Sequence, residues 1–326
     1  MKKFLLRTGL FILLALAVNV SVQYVMMIDR ESDLFDVKSK LQNNPHVILF
    51  GSSVNVHYDK NDTNKTQIGE YVNAMTPGIE ITDDWRLSAS LETYANHLRF
   101  LKNENIRPKL LVVPLNLRSF SPEWNLRPEY RAYLAREDIF LNKGIIQYIF
   151  RKILPAGNDT AFQISKDDFY NTELIVDNKK AGQVKDYIVE DKKNITDMQS
   201  YVKDGFLVNY MTDIDDSNYK LNALKEIISY CKEEKVSVIF YYTPIDYQRG
   251  EKFYPILFSK QIEKNVSLIN KNIPENDLFK VVDLSRSLNS DKFSYDGWPN
   301  EHMKHDGRYF VSDTIAKEIN LFMSIR

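Results

Sequence analysis

Cysteine, glycine and surplus positive charge are all scarce in this 326-residue chain. Its single cysteine, Cys231, cannot form an internal disulfide, and its place in a helical pattern predicts a buried or half-buried side chain. The 11 glycines include no glycine-rich run that would cradle a phosphate. A net charge of -1 leaves no basic surplus to neutralise phosphates, so a nucleic-acid partner is not expected. The length suits one large α/β domain with insertions or two smaller domains.

Apolar runs long enough to cross a bilayer are scarce as well, and the one candidate is N-terminal. Residues 10–27 are almost entirely apolar, and three basic residues (Lys2, Lys3 and Arg7) precede them. This pattern predicts a transmembrane helix within residues 1–28, with the rest of the chain outside the cell membrane. A cleaved signal peptide is the alternative, because Ala15-Leu16-Ala17 provides a small-x-small site. In either case residues 29–45 predict a connecting helix, and 46–326 an exported domain.

Apolar strands and amphipathic helices alternate along that domain. Because unbroken apolar strands are typical of a sheet covered on both faces, the alternation predicts an α/β fold with a parallel sheet. In such sheets ligands bind beyond the carboxyl ends of the strands. The predicted strands are Val47–Phe50, a weaker Tyr71–Met75, Leu110–Leu115, Val236–Tyr242 and Phe279–Leu284. The predicted helices begin at Asp83, at Tyr219 and at Gly307.

The alternation fails for about a hundred residues, 118–218, which follow the third strand. This segment is rich in Tyr, Phe, Asp and Lys, and only Ile145–Leu154 is typical of an amphipathic helix. A long insertion after a strand's carboxyl end lies near the ligand site, which predicts a lid or a polymer-binding surface. A subdomain with no role at the site is the alternative.

The first strand ends in Gly51-Ser52-Ser53, which places Ser53 at a strand-to-helix turn. Backbone N–H groups at a helix start favour developing negative charge, so Ser53 is positioned as an acyl-transfer nucleophile. A plain helix cap is the alternative interpretation.

A nucleophilic serine needs a base, and the chain has five histidines. His46 begins a strand and His97 falls on a helix, which favours structural roles for both. His57 is one helical turn beyond Ser53, an awkward place for a base. His302 and His305 lie in a loop-like segment before the last helix, with Asp296, Glu301 and Asp306 nearby. A metal site built from those histidines and aspartates is a weaker alternative, because the helical His-Glu-x-x-His pattern is absent.

These blocks resemble the SGNH/GDSL hydrolase superfamily: a Gly-x-Ser turn near the N-terminus, and Asp and His together in FSYDGWPNEHMKHDGRYF before the last helix. The resemblance implies a three-layer, flavodoxin-like fold without a cofactor. It also implies that Ser53 is the nucleophile and His302 the base, and that the Ser53 N–H, Gly78 and Asn116 form the oxyanion hole. Ser52 replaces the family's Asp, and Pro299 occupies the place of the orienting Asp. We therefore assign that role to Asp296, with Glu301 and Asp306 in reserve.

The N-terminal segment, the GSS block, VVPLNLRSFSPEW and the insertion together resemble membrane-anchored SGNH-like proteins. These are the DltD-like proteins and the polysaccharide O-acetylation partners of membrane-bound O-acyltransferases. The resemblance implies a bacterial, extracytoplasmic serine O-acyltransferase, with a polysaccharide acceptor and a multi-span membrane-bound O-acyltransferase as donor partner. Alternatives are an anchored esterase with the same triad and a catalytically silent scaffold. Arg118 and Trp298 are candidate substrate contacts, and Trp85 and Trp124 could stack on sugar rings.

Overall fold

Five strands form one wholly parallel sheet. Counted along the chain within this sheet, the order is 2-1-3-4-5, which is the flavodoxin-like arrangement. The computed structural model describes residues 2–30, 32–43, 45–143, 164–189, 195–294, 299 and 301–324. It confirms the predicted α/β fold with a parallel sheet. The strands are β1 (Val47–Gly51), β2 (Ile81–Trp85), β3 (Leu110–Leu115), β6 (Ser237–Tyr242) and β7 (Phe279–Asp283), while β4 (Glu173–Val176) and β5 (Lys179–Gln183) form a separate antiparallel hairpin.

Helices connect the strands and cover both faces of the sheet. Before the sheet come α1 (Lys2–Arg30) and α2 (Ser32–Gln42), and between β1 and β3 come α3 (Ser53–Val56), α4 (Ile68–Met75) and α5 (Leu91–Asn103). The segment between β3 and β6 contains α6 (Pro122–Leu126), α7 (Pro128–Asp138), α8 (Lys166–Tyr170), α9 (Met198–Phe206) and α10 (Tyr219–Glu234). After β6 follow α11 (Tyr247–Phe253), α12 (Leu257–Asn270) and α13 (His305–Ser324).

Alternate residues of the central strands enter two different hydrophobic cores. Ile48 and Phe50 of β1 pack with α2, α5 and α10 on one face, whereas Val47 and Leu49 pack with α4 and α13 on the other. Side chains of a strand point to opposite faces in turn, so an unbroken apolar strand supplies both cores. Cys231 lies fully buried in the first core, as predicted.

The segment between the first and third strands differs from the prediction. Residues 71–75 are helical, within α4, because Gln67 and Glu70 form a capping box and Ile68 and Val72 bury one helical face. Residues 83–85 belong to strand β2 instead of opening a helix, and α5 begins only after the cap at Ser90. The strand prediction was wrong because a short apolar run also suits the buried face of a capped helix. The helix prediction was wrong because pairing with β1 overrides the low strand propensity of two aspartates.

The insertion contains more regular structure than expected. Its hairpin of β4 and β5 packs through Leu174 on a small separate core that includes Phe169, Val184 and Val208. The predicted helix at 145–154 lies outside the described residues.

The N-terminal region is helical in both α1 and α2, and α2 docks on the domain through the buried Leu34 and Leu41. Within the described part of the chain, no helix combines the length and the apolar character that crossing a bilayer requires. The predicted transmembrane helix is therefore not confirmed.

Candidate active site

The strand-to-helix junction after β1 places Ser53 at the carboxyl edge of the sheet. Ser52 caps α3, with its hydroxyl accepting from the Val54 N–H at 3.4 Å, and Ser53 is the first residue of that helix. A Cβ atom at Gly51 would lie 2.2 Å from the Asn55 side chain. Glycine is therefore required here because α3 folds back closely onto the strand end.

The loop before α13 brings His302 to this serine. The His302 Nε2 lies 3.1 Å from the Ser53 Oγ, which is hydrogen-bonding distance. Two backbone contacts hold the loop: the Ser294 N–H donates to the His302 carbonyl at 2.8 Å, and Phe293 bridges to Met303. A serine and a histidine 249 residues apart in sequence thus form the pair that a nucleophile and its base require.

His57 stacks face to face on His302. The ring centroids are 3.9 Å apart and the ring planes differ by 18°. His57 thus packs against one face of the His302 ring. Burial, the nearby His57 and the Arg118 guanidinium lower the pKa of His302 to about 3, so its imidazole is neutral at physiological pH and its Nε2 can accept the Ser53 proton.

A buried carboxylate, Glu301, lies on the other side of the site, and we call Glu301 with its three partners Asn116, Arg118 and Tyr210 the Glu301 frame. Glu301, whose side chain is fully buried, accepts hydrogen bonds from the Asn116 Nδ2 at 3.1 Å and from the Tyr210 hydroxyl at 2.6 Å, and it pairs with the Arg118 Nε at 3.0 Å. Asn116 follows β3 directly, so its amide lies at the same sheet edge as Ser53. Arg118 is 10% exposed in its side chain and pairs with Glu301, and its role as a substrate contact stays a prediction. Glu301 therefore contacts Asn116 and not the base.

Gly78 does not belong to the site. It lies three residues before β2, and β2 begins at Ile81 beside Val47, while Ser53 follows the far end of β1. Gly78 is therefore at the amino edge of the sheet, one strand length of about 13–17 Å or more from the serine. The prediction that it donates to the oxyanion is wrong, because the second strand lies after Gly78 and not before it. The turn that follows β2 at the carboxyl edge contains Ser88, which has a left-handed φ of 63°.

Asp296 and Trp298 lie outside the described residues. Of the reserve carboxylates, Asp306 pairs with Lys292 at 2.8 Å and is largely exposed. His305 lies against Tyr71, with its Nε2 2.8 Å from the Tyr71 hydroxyl. Across the described ranges, no group of three or more His, Cys, Asp or Glu side chains is arranged to hold a metal ion.

A cavity of about 310 Å³, which we call the aromatic cavity, opens beside this edge of the sheet. Leu87 and Ser88 reach it from the turn after β2, and Trp124 reaches it from the segment after β3. The Trp124 ring lies under the Arg118 guanidinium at 4.9 Å, which connects the cavity wall to the frame around Glu301. The cavity walls also include Tyr130, Tyr133 and Lys220.

Sequence reasoning missed three contributors: the stacking role of His57, the frame role of Glu301 and the participation of Tyr210. The spacing of four residues between Ser53 and His57 was a usable signal, because it keeps the two side chains on one helical face. Tyr210 comes from the insertion, and nothing in its local sequence indicates the contact.

No protein-family model matches the chain, and no curated protein matches it. Solved structures that it resembles include an acetylxylan esterase from Geobacillus stearothermophilus, with 10% identity over 84% of this chain and 94% of that one and a TM-score of 0.39. A family two carbohydrate esterase from Clostridium thermocellum shares 9% identity over 86% and 65%, with a TM-score of 0.39. The catalytic domain of peptidoglycan O-acetyltransferase A from Streptococcus pneumoniae shares 9% identity over 86% and 95%, with a TM-score of 0.36.

Proposed function

We propose that this protein is a serine O-acyltransferase that carries an acyl group, most simply acetyl, on Ser53 and passes it to a polysaccharide hydroxyl. The observation that carries the proposal is the 3.1 Å contact between the Ser53 Oγ and the His302 Nε2 at the carboxyl edge of the sheet. A silent binding scaffold has no need of a half-buried serine aligned on a neutral imidazole.

The chemistry follows from the positions of these groups. The Ser53 oxygen attacks the acyl carbonyl while His302 takes the hydroxyl proton, and the Ser53 N–H and the Asn116 amide stabilise the oxygen that becomes negative. As the intermediate collapses, the bond to the donor's leaving oxygen breaks and His302 returns the proton to that oxygen. The acceptor hydroxyl then repeats the sequence on acyl-Ser53, which releases the O-acyl sugar and restores the serine.

The aromatic cavity supports a saccharide as acceptor. Its volume of about 310 Å³ lies at the lower end of the range for ligand pockets, and aromatic rings beside polar side chains are typical of sugar sites. If the acceptor binds there, Tyr130→Ala should raise the acceptor KM about 3- to 10-fold, the value of one aromatic contact, and leave the rate of Ser53 acylation unchanged. Tyr309→Ala, on the exposed face of α13, is the matched control. An unchanged acceptor KM in Tyr130→Ala would place the acceptor elsewhere.

The test of the reaction itself is intact mass spectrometry with an activated acetyl ester. The wild type should gain one acetyl group and Ser53→Ala should gain none, while Ser52→Ala keeps the adduct and controls for the neighbouring hydroxyl. Added oligosaccharide should then remove the adduct and become acetylated. Release of free acetate alone, with no acetylated sugar, would make the protein an esterase that uses the same two residues. The absence of any Ser53-dependent adduct would contradict the proposal and favour a catalytically silent scaffold.

We further propose that the domain works outside the bacterial cytoplasm and receives its acyl group from a multi-span membrane-bound O-acyltransferase. The basic residues Lys2, Lys3 and Arg7 before an apolar run support export. Protease accessibility of the full chain in intact spheroplasts tests the location, since a cytoplasmic domain would be protected.

A further inference from the structure

Glu301 is the most completely enclosed carboxylate near the catalytic pair, and its neighbours define what it does. Its side chain is 0% exposed, and among the described residues its carboxylate contacts three donors. Oε2 accepts a hydrogen bond from the Asn116 Nδ2 and forms an ion pair with the Arg118 Nε at 3.0 Å, and Oε1 accepts from the Tyr210 hydroxyl. Two donors follow β3 and the third comes from the insertion, so the contacts connect two parts of the chain to the residue just before His302.

Burying a carboxylate costs folding free energy unless each of its contacts is made. A buried carboxylate loses its hydration, and only a charge partner and several hydrogen bonds compensate for that loss. Arg118 supplies the charge, and the attraction of Glu301 raises the pKa of Arg118 although burial opposes it. Removing one partner therefore leaves the others unsatisfied.

The contact with Glu301 determines the orientation of the Asn116 side-chain amide. A primary amide can rotate by half a turn and exchange its oxygen and nitrogen, but an ionised carboxylate only accepts hydrogen bonds. Glu301 therefore holds the Asn116 NH₂ group toward itself, and one of the two N–H bonds on that nitrogen is used. The second N–H of the same nitrogen then has a fixed direction, because the amide is planar.

We propose that Glu301 is a positioning residue that fixes the Asn116 amide as an oxyanion donor. This inference rests on the proposed function, since it requires Ser53 to form a tetrahedral intermediate. It differs from the orienting role that the sequence held in reserve for Glu301, because the carboxylate contacts Asn116, Arg118 and Tyr210 and leaves His302 to other groups.

The test is a double-mutant cycle on the rate of Ser53 acylation. Glu301→Gln keeps the shape but gives Asn116 a neutral partner that can also donate, so we expect the rate constant to fall about 100-fold, as for loss of one oxyanion donor, with KM within about 2-fold. Asn116→Ala should cause a similar loss. The double variant should be no slower than Asn116→Ala alone, because Glu301 acts through that amide. A merely structural role for Glu301 would instead make the two losses multiply.

Two further variants keep the inference testable if Glu301→Gln does not fold. Tyr210→Phe removes one donor to Glu301, and the smaller loss that we expect, about 5-fold, should disappear in an Asn116→Ala background. Glu234→Gln removes an Arg107 ion pair near the amino edge of the sheet, and it controls for loss of a carboxylate. The acid limb of the pH profile, which reports on the base, should not move in Glu301→Gln.

Three outcomes are distinct. A rate that survives Glu301→Gln, or losses that multiply in the double variant, would overturn the positioning role while Ser53 acylation stands. A wild type that shows no Ser53-dependent acylation would overturn the proposed function, and this inference with it.

Discussion

Two histidines of this protein are removed from solvent to different degrees, and their surroundings shift their pKa values in opposite directions. His97, on α5, lies between Asp84 at 2.6 Å and Glu137 at 3.3 Å, and these carboxylates raise its pKa to about 9 against the effect of burial. His302 faces a hydroxyl, a second imidazole and a guanidinium, and its pKa falls to about 3. Burial alone disfavours the charged imidazole in both places, so the neighbours decide its charge.

The two sites also differ in what they hold together. The His97 cluster connects β2, α5 and α7, because Arg86 pairs with Glu137 at 2.5 Å and Asn96 donates to the same carboxylate at 3.1 Å. It is a structural ion network under the turn that borders the aromatic cavity. At the other site the neutral His302 ring lies 3.1 Å from the Ser53 Oγ, as the proposed base requires. A cation fixed between carboxylates is suited to stabilising the fold, whereas a neutral ring beside a serine is suited to accepting its proton.

The largest expected effect is on the rate of Ser53 acylation, and it comes from substitution of His302. His302→Ala should slow Ser53 acylation at least about 10⁴-fold, since the serine loses its base. The melting temperature should change little, because the ring is only half-buried and neutral in the folded state. Stopped-flow acylation with a chromogenic ester and calorimetry measure the two quantities. Acylation within tenfold of wild type would show that another group is the base.

Substitution of His97, in contrast, should lower stability and leave the rate of Ser53 acylation unchanged. His97→Gln removes the cation from between two buried carboxylates, and we expect the free energy of unfolding to fall by about 3–5 kcal/mol. His46→Gln, on an exposed histidine before β1, is the matched control and should change it by less than about 0.5 kcal/mol. Urea titrations provide both values. A His97→Gln variant as stable as wild type would mean that the network contributes nothing net.

The two histidines should destabilise the fold at opposite ends of the pH range. The folded-state pKa of His97 is raised from 6.5 to about 9, so its stabilisation is complete below pH 6.5 and is lost as the pH rises through 9, by up to about 3 kcal/mol. The folded-state pKa of His302 is lowered, so the unfolded chain binds more protons between pH 6.5 and 3, and stability falls as the pH drops through that window.

Differences from matched variants isolate each histidine from all other titrating groups. The stability difference between wild type and His97→Gln should shrink as the pH rises from 6.5 to 9, and wild type should lose stability relative to His302→Gln as the pH falls from 6.5 to 3. Flat differences over both windows would contradict the assigned charges.

The smallest effect concerns His57. His57→Phe preserves a ring against His302 but removes the imidazole that helps to lower the His302 pKa, so acylation should stay within about 3-fold of wild type while the acid limb of the pH profile moves to higher pH. His57→Ala removes the ring as well, and the looser base should slow acylation about 10-fold. Equal rates and an unmoved acid limb in both variants would show that the stacking has no role.

Much of the site was predictable because strand ends are readable in the sequence. An apolar run that stops at Gly51 predicts where a parallel strand ends, and the same is true of Leu115 before Asn116. Ser53 and Asn116 could therefore be assigned to one sheet edge. Gly78 was misplaced because β2 contains Asp83 and Asp84, whose carboxylates contradict the propensity of a strand. Asp84 is tolerated there because it pairs with His97, a contact between residues from different elements.

The amino-acid sequence by itself determined the alternation of strands and helices, the burial of Cys231, and the positions of Ser53 and His302 in their blocks. These follow from local pattern, because hydrophobic periodicity and turn residues act over a few neighbours. Only the tertiary structure decided that His57 stacks on His302, that Glu301 contacts Asn116, and that His97 carries a charge which His302 lacks. Each of these depends on which side chains from distant segments meet in the buried interior. There the electrostatic effect of one neighbouring charge can outweigh the effect of burial on the pKa of a side chain.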